Sequence, residues 1–132
     1  MQPPTYDDVL EARGRVYAHM QPSPLLNHPL LDDWLGVTAW VKHENHNPTG
    51  AFKIRGGLNL VSRLSADERR RGVICASTGN HGQSLAFACR TVGARCRVVV
   101  PAGTNGLQAM ADLHFDRVPL AEFRARWEAT VG

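Results

Sequence analysis

Lys53 and the run Ser77-Thr78-Gly79-Asn80-His81-Gly82-Gln83 are the residues whose types and surroundings suit chemistry. Lys53 follows Pro48-Thr49-Gly50-Ala51-Phe52 and precedes Ile54, Leu58, Leu60 and Val61, a spacing that predicts a helix beginning near the lysine. Pro48 biases Asn47 away from helical geometry, and Thr49 suits an N-cap. The partial positive charge of a helix start opposes an ammonium, and desolvation by Phe52 would add to it, so both effects favour the neutral amine. A neutral amine attacks a carbonyl to form a Schiff base. Standing alone, such a lysine is more often a surface residue of an amphipathic helix.

The second run offers different chemistry. Its glycines allow close backbone approach, and amides exposed at a helix N-terminus make a bed for an anion. It lies between an apolar segment, Val73 to Ser77, and a helical one, Ser84 to Val92, with Leu85, Ala88, Cys89 and Val92 in register and Gly93 as terminator. That is the crevice position at which open α/β sheets bind ligands. By itself a Gly-Asn-His-Gly turn is an ordinary connection.

The elements that must position these residues read as follows. Thr5 opens a helix with Asp7 and Asp8 in its first turn, and the pattern stops before Pro22. Pro22-Ser-Pro24-Leu-Leu cannot be helical. Val37 to Val41 reads as a strand, with Lys42 and Glu44 to one side of its end and able to pair with each other. Ser65-Ala-Asp-Glu68 has capping-box spacing and opens a short helix that Gly72 ends. Cys96 to Val100 is a further strand before Pro101. Strand, turn, helix and strand within about thirty residues make a βαβ unit, so the predicted class is α/β, a parallel sheet with flanking helices.

Lys42, Glu44, Pro48-Thr49-Gly50, Phe52-Lys53 and Arg55-Gly56, followed after about twenty-five residues by Ser77 to His81, resemble the paired motifs of fold-type II pyridoxal-phosphate enzymes, above all threonine/serine dehydratases and serine racemases. The resemblance implies a tryptophan synthase beta-like fold, of which this chain is the N-terminal part, and pyridoxal 5'-phosphate as cofactor. It implies that Lys53 carries the cofactor, with Phe52 and Asn80 beside it and Asn80 hydrogen-bonding its ring oxygen. Ser77, Thr78, Gly79, Asn80 and His81 would clamp the substrate carboxylate. Thr78 keeps a hydroxyl where dehydratases often have alanine and racemases serine, so proton transfer on the face opposite the lysine is open to it. The implied reaction is β-elimination of a hydroxy amino acid to a 2-oxo acid and ammonia; a racemase-like isomerase and a non-catalytic fragment binding no cofactor are the alternatives. Residues 1–71 would carry the lysine, residues 72–101 would begin the small domain, and 102–132 form a tail without a matching motif.

At 132 residues the chain has the size of one domain and a soluble globular composition, but it is short for that family. The family's glycine-rich phosphate loop and pyridine-nitrogen partner lie in a following half, so a complementing C-terminal half is expected to be needed. The coding sequence is expected to be truncated or altered near residue 102. Gly56-Gly57 falls inside the lysine helix and suits close packing. Gly103-Thr-Asn-Gly106 carries a turn signature, and Met110, Leu113, Phe115, Leu120, Phe123 and Trp127 fall in possible helical register.

Other classes are disfavoured. The net charge is +3, almost all of the basic excess being arginine. The Arg69-Arg70-Arg71 run has no interleaved aromatics and reads as a solvated helix end, not as a nucleic-acid surface. His43 and His46 lack the i, i+4 spacing of a zincin helix, and no metal is expected. Three cysteines without CxxC spacing read as small buried hydrophobes in a reducing compartment. No basic leader or membrane-length apolar run is present, so a cytoplasmic setting is the default. A small amino acid is the expected partner, and the family is commonly homo-oligomeric.

Overall fold

The structure, a computed structural model, describes residues 2–101 and, for its backbone, 116–119. Helix α1 (Tyr6–Tyr17) opens with a capping box: Thr5 Oγ1 accepts from the Asp8 amide, and the Asp8 carboxylate accepts from the Thr5 amide at 2.7 Å. These bonds hold Asp8 below the usual carboxylate range. The proline-rich segment then delivers the chain, extended, to β1 (Leu25–Asn27), which pairs antiparallel with β2 (Trp40–Lys42). The second strand is shorter than expected, the Ala39 amide before it being taken by Asp32 at 2.7 Å and not by the ladder.

Between them lies α2 (Pro29–Leu35), a helix not anticipated from periodicity. Its signals are at its ends: His28 Nδ1 caps Leu30, Pro29 occupies the first position, and Gly36 closes it at φ 68°. Leu30, Leu31, Trp34 and Leu35 stand at helical spacing within it, yet no residue of α2 is buried.

A one-turn 3-10 segment (Glu44–His46) leads to α3 (Lys53–Val61), and the capping box of Ser65 and Glu68 opens α4 (Ala66–Arg71). β3 (Val73–Ala76), α5 (Asn80–Val92) and β4 (Cys96–Val100) form the anticipated βαβ unit. A third strand, β5 (Asp116–Pro119), continues the sheet in the order β3-β4-β5, parallel throughout. Residues 116–119, placed in a possible helical register by sequence, are therefore strand; the rest of that register and the Gly103 to Gly106 turn lie outside the described residues.

The core is the α1, α3 and α5 contact: Val16 and Met20 beyond it meet Ile54, Leu58 and Val61, and these meet Leu85, Ala88 and Cys89. Full burial of each large aliphatic side chain stabilises the fold by about 1.5–3 kcal/mol. Leu60, read as part of the same stripe, faces solvent. A Cβ at Gly57 would strike Ser84 Oγ and lie 2.8 Å from the Ser84 carbonyl, whereas one at Gly56 would meet nothing, so close packing belongs to Gly57 alone. All the cysteines are free; burial pushes the Cys75 thiol up to about 11, and Cys96 is raised by the hydrogen bond it shares with Cys89.

Candidate active site

Lys53 is the first residue of α3, as its sequence surroundings implied. The preceding loop is held by Asn47, whose buried side chain donates to Glu44 Oε2 at 2.7 Å and to the Ala51 carbonyl at 3.3 Å. Gly50, at φ 64°, turns the chain and donates its amide to the Asn47 carbonyl. The expected N-cap role of Thr49 is not realised. Phe52 holds the cap position without a side-chain bond, three residues beyond Thr49, and Thr49 Oγ1 is buried without a partner among the described residues.

Desolvation of the amine by Phe52 also needs correction. Lys53 is exposed, the Phe52 ring is 59% exposed, and Nζ stands 5.2 Å from the ring centroid. Such a ring face attracts a cation. The dry flank anticipated at Lys53 is therefore absent.

Lys42 and Glu44 do not pair. Lys42 Nζ donates to the Ser23 carbonyl, and Glu44 is taken by Arg55 through Nε at 2.8 Å and Nη2 at 2.9 Å. The planar guanidinium fork matches a carboxylate in two bonds where an ammonium makes one. Ser23 Oγ and Asn47 supply the remaining donors, at 2.6 and 2.7 Å. Arg55 reaches on to the Tyr17 hydroxyl at 3.2 Å and stacks over its ring. The Arg55 fork holds Glu44 down at about 2, against desolvation, and Arg55 is raised in turn. This network clamps α1, the Ser23 segment and the Lys53 loop together.

At the other motif, α5 begins at Asn80, four residues before the expected start. Ser77 Oγ accepts from the Gly79 and Gly82 amides at 3.3 and 3.0 Å, which fixes the loop on itself. Gly82 permits this closeness, since a Cβ there would lie 3.3 Å from Ser77 Cβ and 3.0 Å from Val98 Cγ1. Thr78, Asn80 and His81 are exposed. The Asn80 and His81 amides lie in the first turn, before any intrahelical acceptor is available.

Ser84 joins the two motifs. Its side chain, fully buried, donates to the Lys53 carbonyl at 2.6 Å. Asn80 lies one turn before Ser84, about 6 Å along the helix axis. The amide-bearing helix start and the lysine-bearing one are thus neighbours. Ser84, Arg55 and Tyr17 were missed as positioning residues; the available signal for Ser84 was a hydroxyl within an otherwise apolar helical stripe. Among the described residues no group of three His, Cys, Asp or Glu side chains is placed to hold a metal, and His43 and His46 meet only edge to face at 5.7 Å.

Lys53 and Asn80 are both exposed, one an amine able to condense with an aldehyde and the other a carboxamide able to donate to an oxygen. The model of the pyridoxal-phosphate dependent enzyme family matches residues 16–118. The chain belongs to this family. The match runs past Pro101, where the motif resemblance ended, and takes in most of β5. The chain is 39% identical over 108 residues to the L-threo-3-hydroxyaspartate ammonia-lyase of Saccharomyces cerevisiae, covering 82% of this chain and 33% of that protein. Among solved structures of this family it matches the processed form of threonine deaminase isoform 2 from Solanum lycopersicum, with TM-score 0.76, 32% identity, 90% of this chain and 38% of the other. It matches serine racemase from Dictyostelium discoideum with TM-score 0.84, 29% identity, 95% of this chain and 43% of the other. The chain spans a third or less of the length of the curated relatives it matches. No helix among the described residues is long and apolar enough to cross a membrane.

Proposed function

We propose that this member of the pyridoxal-phosphate dependent family contributes the lysine and carboxylate-binding parts of a dehydratase-like lyase site, which eliminates the β-hydroxyl of a small amino acid to leave a 2-oxo acid and ammonia. The observation that carries the reading is the Ser84 to Lys53 bond, which sets the amine-bearing helix start beside the amide-bearing one. The cofactor, when bound, supplies the carbonyl that condenses with an amine and the ring that accepts electrons from Cα. Lys53 would hold it, with Phe52 and Asn80 alongside.

The chain's own residues have separate tasks. The Asn80 and His81 amides, with Thr78 and Gly79, orient the substrate carboxylate at the positive end of α5. Lys53 Nζ takes the proton that leaves Cα. The Glu44 and Arg55 network fixes the loop from which Lys53 projects. The described residues hold no cradle for the cofactor phosphate, whose nearly two charges need several donors, and in this reading a complementing C-terminal half provides it. Residues 1–71 and 72–101 then act as the lysine-bearing and loop-bearing pieces of two domains, in an oligomer within a reducing, cytoplasmic setting.

A racemase-like reading is favoured by one observation, the exposed Thr78 hydroxyl on the loop facing the substrate position. Adding pyridoxal phosphate separates the cofactor-binding readings from a non-catalytic fragment. The lyase reading expects a new cofactor absorbance band that is lost in Lys53→Ala and kept in Lys42→Ala. A band indifferent to Lys53→Ala contradicts it, and no band at all favours the non-catalytic fragment. Thr78→Ala then decides between the two activities: 2-oxo acid formation survives it in a dehydratase, and racemisation does not survive it in a racemase.

A further inference from the structure

Three arginines line one cavity at the sheet edge remote from the Ser77 loop: Arg71 from the end of α4, Arg95 from the turn before β4, and Arg97 within it. The cavity measures about 420 Å³, within the range of small-molecule sites. No acidic side chain is among its described lining residues.

Its walls are fixed by backbone. The Val73 amide donates to the Arg95 carbonyl at 2.9 Å, and the Arg95 amide reaches the Arg69 carbonyl at 3.5 Å. Gly72, at φ 89°, lets the strands approach so closely that a Cβ there would lie 2.8 Å from the Arg95 Cβ. Arg71 and Arg95 therefore leave the chain from two segments pressed together.

The Arg69-Arg70-Arg71 run divides accordingly. Arg70 pairs with Asp67, and Arg69 donates from Nε to the Leu64 carbonyl at 3.1 Å, so both are explained by the end of α4. Arg71 lines the cavity instead. Glu68, whose charge acts on Arg71, is already bound as the cap of Ser65 through a 2.7 Å bond. Like charges gathered in a concave, rigid site raise the local concentration of anions, and guanidinium forks bind oxyanions in paired bonds.

Val73 and Cys96 begin their strands at this cavity, while Ser77 follows the far end of β3. Four residues of strand put about 13 Å between the two ends. We infer that this cavity, through Arg71 and Arg95, binds a small oxyanion carrying two or more negative charges, at a site separate from Lys53. Phosphate esters and polycarboxylates share this chemistry.

Calorimetric titration of the intact chain with pyrophosphate and, separately, with citrate tests the inference. At least one is expected to bind, more weakly as salt is raised. Arg71→Gln and Arg95→Gln should each weaken that binding about tenfold, the loss of one charge-assisted bond of about 1.4 kcal/mol. Arg95→Lys should fall between, and Lys53→Ala should bind as the wild type does. Pyrophosphate alone assigns the site to phosphates, citrate alone to carboxylates. Binding of neither, binding that survives the double Arg71→Gln, Arg95→Gln variant, or binding lost in Lys53→Ala would overturn it. Both glutamine changes are at exposed side chains, and far-UV circular dichroism verifies that the variants fold.

Discussion

The Ser84 hydroxyl donates to the Lys53 carbonyl at 2.6 Å, so the second turn of α5 is fastened to the first residue of α3. Ser84→Ala removes the donor and leaves a carbonyl facing a buried side chain. Unfolding by urea should show a loss of about 1–3 kcal/mol, and cofactor binding should weaken beyond what stability explains, because the two helix starts lose their registration. A variant as stable as wild type, or one that binds the cofactor normally, would contradict this role.

Gly57→Ala tests the same contact from the other side. Its Cβ would be forced to within 2.8 Å of the Ser84 carbonyl, and overpacking of this kind costs about 1–3 kcal/mol. Gly56→Ala meets nothing; it should be neutral or stabilising by about 0.5–1 kcal/mol, since alanine is the better helix former. Thermal melts of the pair provide the comparison.

Much of this arrangement is legible in the sequence, and the remainder has definable causes. The capping boxes at Thr5 and Ser65 and the βαβ unit are local patterns, and they appear where their spacing places them. Lys53 stands at a helix start for the same reason. The pairing of Glu44 with Arg55 was not legible, because Lys42 is nearer along the chain and only the folded loop brings the guanidinium to the carboxylate. Thr49 has the right residue type for a cap, but Gly50 turns the chain and the helix starts later. Helix α2 is seven residues long, too short for the helical spacing of Leu30, Leu31, Trp34 and Leu35 to stand out from a loop by periodicity.

Glu44 makes acid sensitivity a test of the clamp on the Lys53 loop. Its folded value is held down at about 2, chiefly by Arg55, against 4.5 for the free side chain. A lowered value means that the stabilisation is complete above about pH 4.5 and is lost as pH falls through the folded value near 2. Asp8, Asp32 and Glu68 are lowered as well and act in the same direction. The difference between wild type and Glu44→Gln isolates the one group: about 2 kcal/mol near neutral pH, shrinking below pH 4 (its free value being 4.5). Urea midpoints that differ equally at pH 7 and pH 2.5, about the span of the titration, would show that Glu44 does not titrate as described.

Thr49 Oγ1 is buried without a partner among the described residues. Thr49→Val keeps the shape and removes the hydroxyl, so the unliganded chain should gain about 1 kcal/mol. A loss of similar size in the melting experiment would mean that the hydroxyl is satisfied in solution.

Borohydride reduction of the chain after incubation with pyridoxal phosphate, followed by peptide mass mapping, addresses the central assignment most directly. The arrangement of α3 and α5 predicts that the label resides on Lys53 and that Lys53→Ala abolishes it. Label on Lys42, the chain's other lysine, or label that persists in Lys53→Ala, would contradict the assignment of Lys53 as the cofactor-bearing residue.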